Sequence, residues 1–237
     1  MQLTFFTNDQ NVTPLLEGSE CNGTAAACLK IMNKPLIVHN IDALNRTLKG
    51  KITGVAIPRD LKGILDAINE HCRDINIREI DDCNNSSWNG SDNTKQQQQQ
   101  QNYCDAVINW AEDSVRVPIN SIIHSSSPED IKVDLITYPW HFLAAVQSLL
   151  KEHVTTTYIS PTARISKTSV IEGPCIIEDN VVLDDFCKIK GPAYISAGST
   201  VGMCSLVRSS ILGKNTKIGF NCEIAKSFFY GNTKMPH

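Results

Sequence analysis

From Ile159 onward a branched aliphatic side chain returns at every sixth position: Ile159, Ile165, Ile171, Ile177, Leu183, Ile189, Ile195, Val201 and Val207. The register then slips by one residue and resumes at Leu212, Ile218 and Ile224. A period of six suits neither an amphipathic helix nor an alternating strand over this length. Four residues after most anchors the side chain is small, as at Ala163, Ser169, Cys175, Cys187, Ala193, Ser199, Ser205 and Cys222. One bulky and one compact inward position per short face describe a narrow three-sided prism. Three such faces make coils of about eighteen residues stacked at roughly 4.8 Å, so that every face is a parallel sheet. The segment predicts about four coils of parallel β-helix. Its corners fall at pairs such as Gly173-Pro174, Asp179-Asn180, Asp184-Asp185 and Gly191-Pro192.

The periodicity upstream is different. Gln2–Phe6, Ile52–Ile57 and Ile75–Ile80 have the apolar content of strands. Ile37, Ile41, Leu44 and Leu48 recur at helical spacing behind Pro35, which suits a first helical turn; Leu61, Ile64, Leu65, Ile68 and Cys72 do the same. The β-α-β-α-β order predicts a small parallel sheet covered by helices. Asn84–Asn102, with consecutive glutamines from Gln96 to Gln101, has too little apolar surface to offset its ordering entropy, and predicts a disordered insertion. A helix at Tyr103–Trp110, strands near Val115–Ile123 and Ile131–Ile136, and a helix from Pro139 to Glu152 follow. The last helix is expected to cover the first coil of the prism. This places an α/β domain at residues 1–152 and the β-helix at 153–237.

Composition narrows the class. The formal charge is -3 and no Lys/Arg-dense tract occurs, so nucleic acid is not an expected partner. The N-terminus lacks the basic and apolar regions of a secretion signal, and no stretch approaches about eighteen uncharged apolar residues, so a soluble cytoplasmic protein is expected. The cysteines form neither C-x-x-C pairs nor ligand-spaced clusters with histidine, so no metal site is expected. Cys175, Cys187 and Cys222 lie on the small inward track and are expected to fill the core.

The six-residue rule resembles the left-handed hexapeptide-repeat fold shared by many acyltransferases. Lys30-Ile31-Met32-Asn33-Lys34-Pro35-Leu36-Ile37-Val38-His39 resembles a helix-opening segment of sugar-nucleotide pyrophosphorylases, and Tyr138-Pro139-Trp140-His141-Phe142-Leu143 resembles their closing helix. Together with the repeat, the chain is similar to the bifunctional nucleotidyltransferase–acetyltransferases that make UDP-N-acetylglucosamine. The resemblance implies a reduced nucleotidyltransferase-like α/β domain joined to an all-β left-handed β-helix, a homotrimer, acetyl-CoA as cosubstrate, and a sugar phosphate or nucleotide sugar as ligand.

The carried-over site lies in the last coils. Phe220-Asn221-Cys222-Glu223 through Lys234-Met235-Pro236-His237 matches the family pattern in spacing. His237 falls on the catalytic base and Glu223 on the sugar-site glutamate; Ala225 stands where the pattern has lysine, with Lys226 adjacent as the substrate-binding candidate, and Arg208 is the candidate for the basic residue expected on an earlier coil. Histidine suits proton abstraction because its pKa lies near 6.5. The chain ends at His237, short of the further coils the pattern leads one to expect. The pyrophosphorylase glycine-rich loop is reduced to Gly23-Thr24 with no following arginine, the family's metal carboxylates have no clear counterpart, and Asp81-Asp82 at a strand end are expected to form a solvated turn. Pyrophosphorylase activity, and with it any need for Mg2+, is therefore expected to be lost. The two expected functions are an amino-sugar-phosphate acetyltransferase and a non-catalytic nucleotide-sugar-binding or assembly subunit.

Overall fold

The computed structural model describes residues 2–6, 29–48, 52–58, 64–80, 107–109, 114–118, 121–125, 131–136 and 138–237. The Gly23-Thr24 loop, Asp81-Asp82 and the glutamine run lie outside the described residues. Contacts divide the chain into two compact units: residues 1–29 with 34–141, and residues 30–33 with 142–237.

In the first unit, β1 (Gln2–Phe6) is followed along the chain by β2 (Lys30–Ile31), which belongs to the second unit, and by β3 (Lys34–Pro35). Next come α1 (Leu36–Thr47), β4 (Gly54–Pro58), α2 (Ile64–His71) and β5 (Asn76–Ile80), then β6 (Val107–Asn109) and β7 (Ser114–Pro118). The five-stranded sheet has order β5-β4-β1-β7-β6. β1 pairs in parallel with β4 and β7, β4 pairs in parallel with β5, and only β6 runs antiparallel. The sequence pattern predicts a helix across Tyr103–Trp110. Instead the described part, Val107–Asn109, is an edge strand whose Val107 and Ile108 sit opposite Arg116 and Val115. β-Branched residues favour such pairing over a short helix.

Helix α1 follows Pro35, which stands at its N-cap, and buries Ile37, Val38, Ile41 and Leu44 against Leu3, Val55, Ile57 and Ile68. β8 (Ser121–Ser125) and β9 (Ile131–Leu135) form a separate antiparallel pair. Asn40, fully buried on α1, ties that pair down by donating to the Ser121 carbonyl at 2.7 Å and accepting from the Ile123 amide at 3.0 Å. Both ends of its amide are thereby satisfied, as burial requires.

The second unit is the left-handed parallel β-helix. Face I stacks Tyr158–Ile159, Cys175–Ile177, Ala193–Ile195, Ile211–Leu212 and Phe228–Phe229. Face II stacks Arg164–Ile165, Val182–Leu183, Thr200–Val201, Lys217–Ile218 and Lys234–Met235. Face III stacks Val170–Glu172, Lys188–Lys190, Leu206–Arg208 and Glu223–Ala225. All pairings are parallel. Successive coils pair residues eighteen apart, as Ile177 with Ile195, until the Ser209-Ser210 corner, after which they pair residues seventeen apart, as Ile195 with Leu212. The slip recurs at the Lys226-Ser227 corner, which brings Phe229 and Met235 onto the inward track.

The core consists of the anchors and their small companions. Ile177, Leu183, Ile189, Ile195, Val201, Val207 and Leu212 are buried together with Cys175, Cys187, Ala193 and Cys222. Corners turn through left-handed residues in columns, one of them Asn180, Gly198, Asn215 and Asn232. Asparagine tolerates that region because its side chain bonds locally.

Helix α3 (Pro139–His153) does not sit over the first coil as expected. Phe142 meets Phe228, in the last strand of face I, edge-on at 5.5 Å, and Gln147 donates to the Ser209 carbonyl at 3.0 Å. The part of the helix in this unit lies along face I, where outward-facing Tyr194 and Ile211 are buried. Ile159 on the first coil stays 40% exposed. The apolar side of α3 complements a long face better than a narrow end.

Candidate functional site

Of the four residues carried over from sequence, three are neighbours on the last coils. Arg208 closes a face III strand and Glu223 opens the next; Arg208 Nε donates to Glu223 Oε1 at 2.8 Å. Lys226 occupies the corner just beyond, at φ 48°, with its amide on the Arg208 carbonyl at 3.1 Å. His237 is one coil above Phe220, at the corner between faces II and III, and its ring stacks on Phe220 at 4.8 Å. The Arg208 and Glu223 side chains are 44% and 56% exposed, so the pair is solvent-screened. All four groups lie on the outside of the prism. They could hold an anionic or polar ligand on the surface, but the described residues place no enclosing walls around them.

Face III carries a second ion pair, Lys188 Nζ to Glu172 Oε1 at 2.8 Å, and the hydrogen bond from that lysine holds the Glu172 carboxyl below its ordinary pKa. Two corners are clamped alike: Ser160 and Thr162 donate to Asp179, and Ser166 and Thr168 donate to Asp185. The donated hydroxyls hold the Asp185 carboxyl below the usual range. These clamps join one coil to the next.

A cluster that sequence reasoning missed joins residues 30–33 to the prism within the second unit. Asn33, at φ 63°, donates to Glu178 Oε1 at 2.8 Å and to the Tyr194 hydroxyl at 3.2 Å. Tyr194 donates to the same carboxylate oxygen, and the Ala197 amide donates to Glu178 Oε2 at 2.8 Å. Burial, then the adjacent carboxylate, pushes the Tyr194 phenol above its ordinary pKa. No local signal could have found this contact, because it joins residues 145 apart.

In the first unit, β1 lies between β4, which follows it, and β7, which the chain reaches only later. That is a topological switch point, and open α/β sheets bind ligands beyond the carboxyl ends of the strands there. The connection leaving β1 at Phe6 lies outside the described residues. Among the described residues no group of three or more His, Cys, Asp or Glu could hold a metal ion, and no helix is long and apolar enough to cross a membrane.

No curated protein matches the chain. A family model described as the GMPPB C-terminal domain matches residues 153–234. That match overturns the kinship with the acetyltransferases of UDP-N-acetylglucosamine synthesis, and with it the acetyl-transfer function and the acyltransferase assignment. The physical reason for the error is that a six-residue rule reports how a prism packs, and many chemistries share that prism. The β-helix of this chain is thus a domain related to those of nucleotidyltransferases, similar to the C-terminal domain of GMPPB.

Proposed function

We propose that the chain is an assembly subunit of the GDP-mannose pyrophosphorylase type, cytoplasmic and non-catalytic, whose β-helix holds chains together. The observation that carries this reading is the match of residues 153–234, which begins just before the first strand of the prism and ends in its last. Two features support a scaffold role. Face I is covered by the chain's own helix, whereas the outward side chains of faces II and III, such as Arg164, Lys217, Lys190 and Arg208, are exposed among the described residues. Along the corner between those two faces Phe186, Met203 and Phe220 are each close to or above half exposed, an unusual apolar stripe for a surface with nothing to cover. The homotrimer expected from a hexapeptide scaffold is one stoichiometry of such an assembly. Light scattering after gel filtration tests the reading, on the chain alone and mixed with a GDP-mannose pyrophosphorylase. A multimer or a joint complex is expected, and a monomer under both conditions overturns it.

A second role is favoured by the strand order β5-β4-β1-β7. We propose that the switch point beside β1 holds a nucleotide sugar, with GDP-mannose the first candidate, without turning it over. Calorimetry should detect GDP-mannose binding with no pyrophosphate-dependent cleavage. Absence of heat at millimolar ligand would remove this role and leave the scaffold role intact.

A further inference from the structure

Charge is distributed very unevenly along the prism. From Ser160 to Phe186 five carboxylates accompany two cations, whereas from Cys187 to His237 seven cations accompany one carboxylate. On face III opposite charges meet within the chain, as Glu172 with Lys188 and Arg208 with Glu223. On face II no such pair occurs among the described residues. Its second coil is flanked by Asp179 at one corner and by Asp184 and Asp185 at the other, all exposed. Its fourth and fifth coils carry exposed Lys214, Lys217 and Lys234, and Lys217 and Lys234 are in-register partners on adjacent strands. Like charges directly opposite one another in a sheet are destabilising, so this column costs the isolated chain stability. Between the two regions lies the third coil, where outward Thr200 is half-buried and Met203 is 48% exposed.

Resting on the scaffold reading, we propose that face II pairs with face II of a second copy in antiparallel orientation, about a twofold axis at the level of Thr200. A parallel neighbour would set equivalent coils side by side, acid against acid and lysine against lysine. An antiparallel one sets the second coil against the fourth. A twofold axis lying across the face keeps each corner against the same corner of the partner copy, so that residue i meets j and j meets i. Asp179 then approaches Lys214 at one edge. At the other edge Phe186 approaches Phe220, and Met203 meets its own equivalent on the axis. Lys217 lies over Val182 within reach of Asp184. The low pKa of Asp185 keeps that edge charged. Arg164 and Lys234 face each other only at the rims, where water and salt screen them.

Sedimentation equilibrium of the full chain, at low and high salt, together with a charge swap, tests this pairing. A two-chain mass is expected, weakening with salt. Asp184→Lys and Lys217→Glu, both at exposed side chains, should each weaken pairing at least about tenfold, and the double variant should recover most of the loss. In a Cys204→Ser background, Thr200→Cys should form a covalent dimer on mild oxidation and Lys234→Cys should not. A dimer whose affinity ignores the charge changes, or in which Lys234→Cys cross-links as readily as Thr200→Cys, overturns the antiparallel pairing. A three-chain mass, or assembly only with a different chain, overturns it too but leaves the scaffold reading standing. A monomer in every condition and mixture removes both.

Discussion

Asn33 reaches Glu178 with a 2.8 Å hydrogen bond that spans 145 residues of sequence. The carboxylate accepts from Asn33, Tyr194 and the Ala197 amide, so each of its oxygens has a donor. A half-buried carboxylate held this way anchors residues 30–33 to the second coil. Glu178→Ala removes the acceptor for all three donors and should cost about 1–3 kcal/mol, Asn33→Ala about 1 kcal/mol. The double variant should cost less than the sum, because both changes break the same bond. Urea unfolding followed by Trp and Tyr fluorescence measures all three, and strict additivity would show the contact to be energetically idle.

The thiols of the prism divide by position. Cys175 and Cys187 are buried, and burial is the main cause pushing both thiols above the ordinary cysteine pKa. Cys204 is exposed at a corner. Since the thiolate is the reactive species, alkylation at pH 8 should modify Cys204 within minutes and spare Cys175 and Cys187 until the chain unfolds. Mass mapping of a timed iodoacetamide reaction checks this. Early labelling of Cys187 would contradict its place on the inward track.

Acid should loosen the first coils. Asp185 accepts from Ser166 and Thr168, and its pKa is lowered for that reason. A carboxyl whose folded pKa is depressed contributes stability that is present above its unfolded value, near 4, and lost as pH falls through the folded value. The urea midpoint should therefore be flat from about pH 7 to 5 and fall below about pH 4. Asp185→Asn should lower the neutral midpoint and flatten the acid limb. If the variant retains the full acid dependence, other carboxylates carry it.

What the sequence made legible follows from the range of the forces involved. The prism could be read because each coil repeats one local rule, large at the anchor and small four residues on, from Ile159 to Ile224. The corner slip at Ser209 showed as a break in that rule, while its recurrence at Lys226 was hidden because Phe229 is no branched aliphatic residue. The packing of α3 along face I, and the bond from Asn33 to Glu178, depend on contacts remote in sequence and left no periodic trace. Chemistry was the least legible. Arg208 and Glu223 do meet, but as an exposed ion pair between coils, an arrangement that stacking alone brings about.

Close stacking leaves no room for side chains at particular corners, and that gives a sharp mutational contrast. A Cβ on Gly202 would lie 2.6 Å from the carbonyl carbon and oxygen of Gly219, one coil above, and 2.9 Å from the Phe220 amide nitrogen. Those are backbone atoms held in the ladder by the Gly202 amide on the Ile218 carbonyl at 2.9 Å, so nothing nearby can swing aside. Gly202→Ala should force the third and fourth coils apart and cost about 1–3 kcal/mol. Ser209 is the opposite case, a non-glycine residue held at φ 46°. Glycine removes the left-handed penalty of about 1–2 kcal/mol there but loses roughly 0.5–1 kcal/mol to unfolded-state entropy. Ser209→Gly should thus be neutral or stabilising by up to about 1.5 kcal/mol. Thermal unfolding of the two variants beside the parent decides it: a melting temperature lowered by Ser209→Gly and unmoved by Gly202→Ala would reverse the assignment of tight and strained corners.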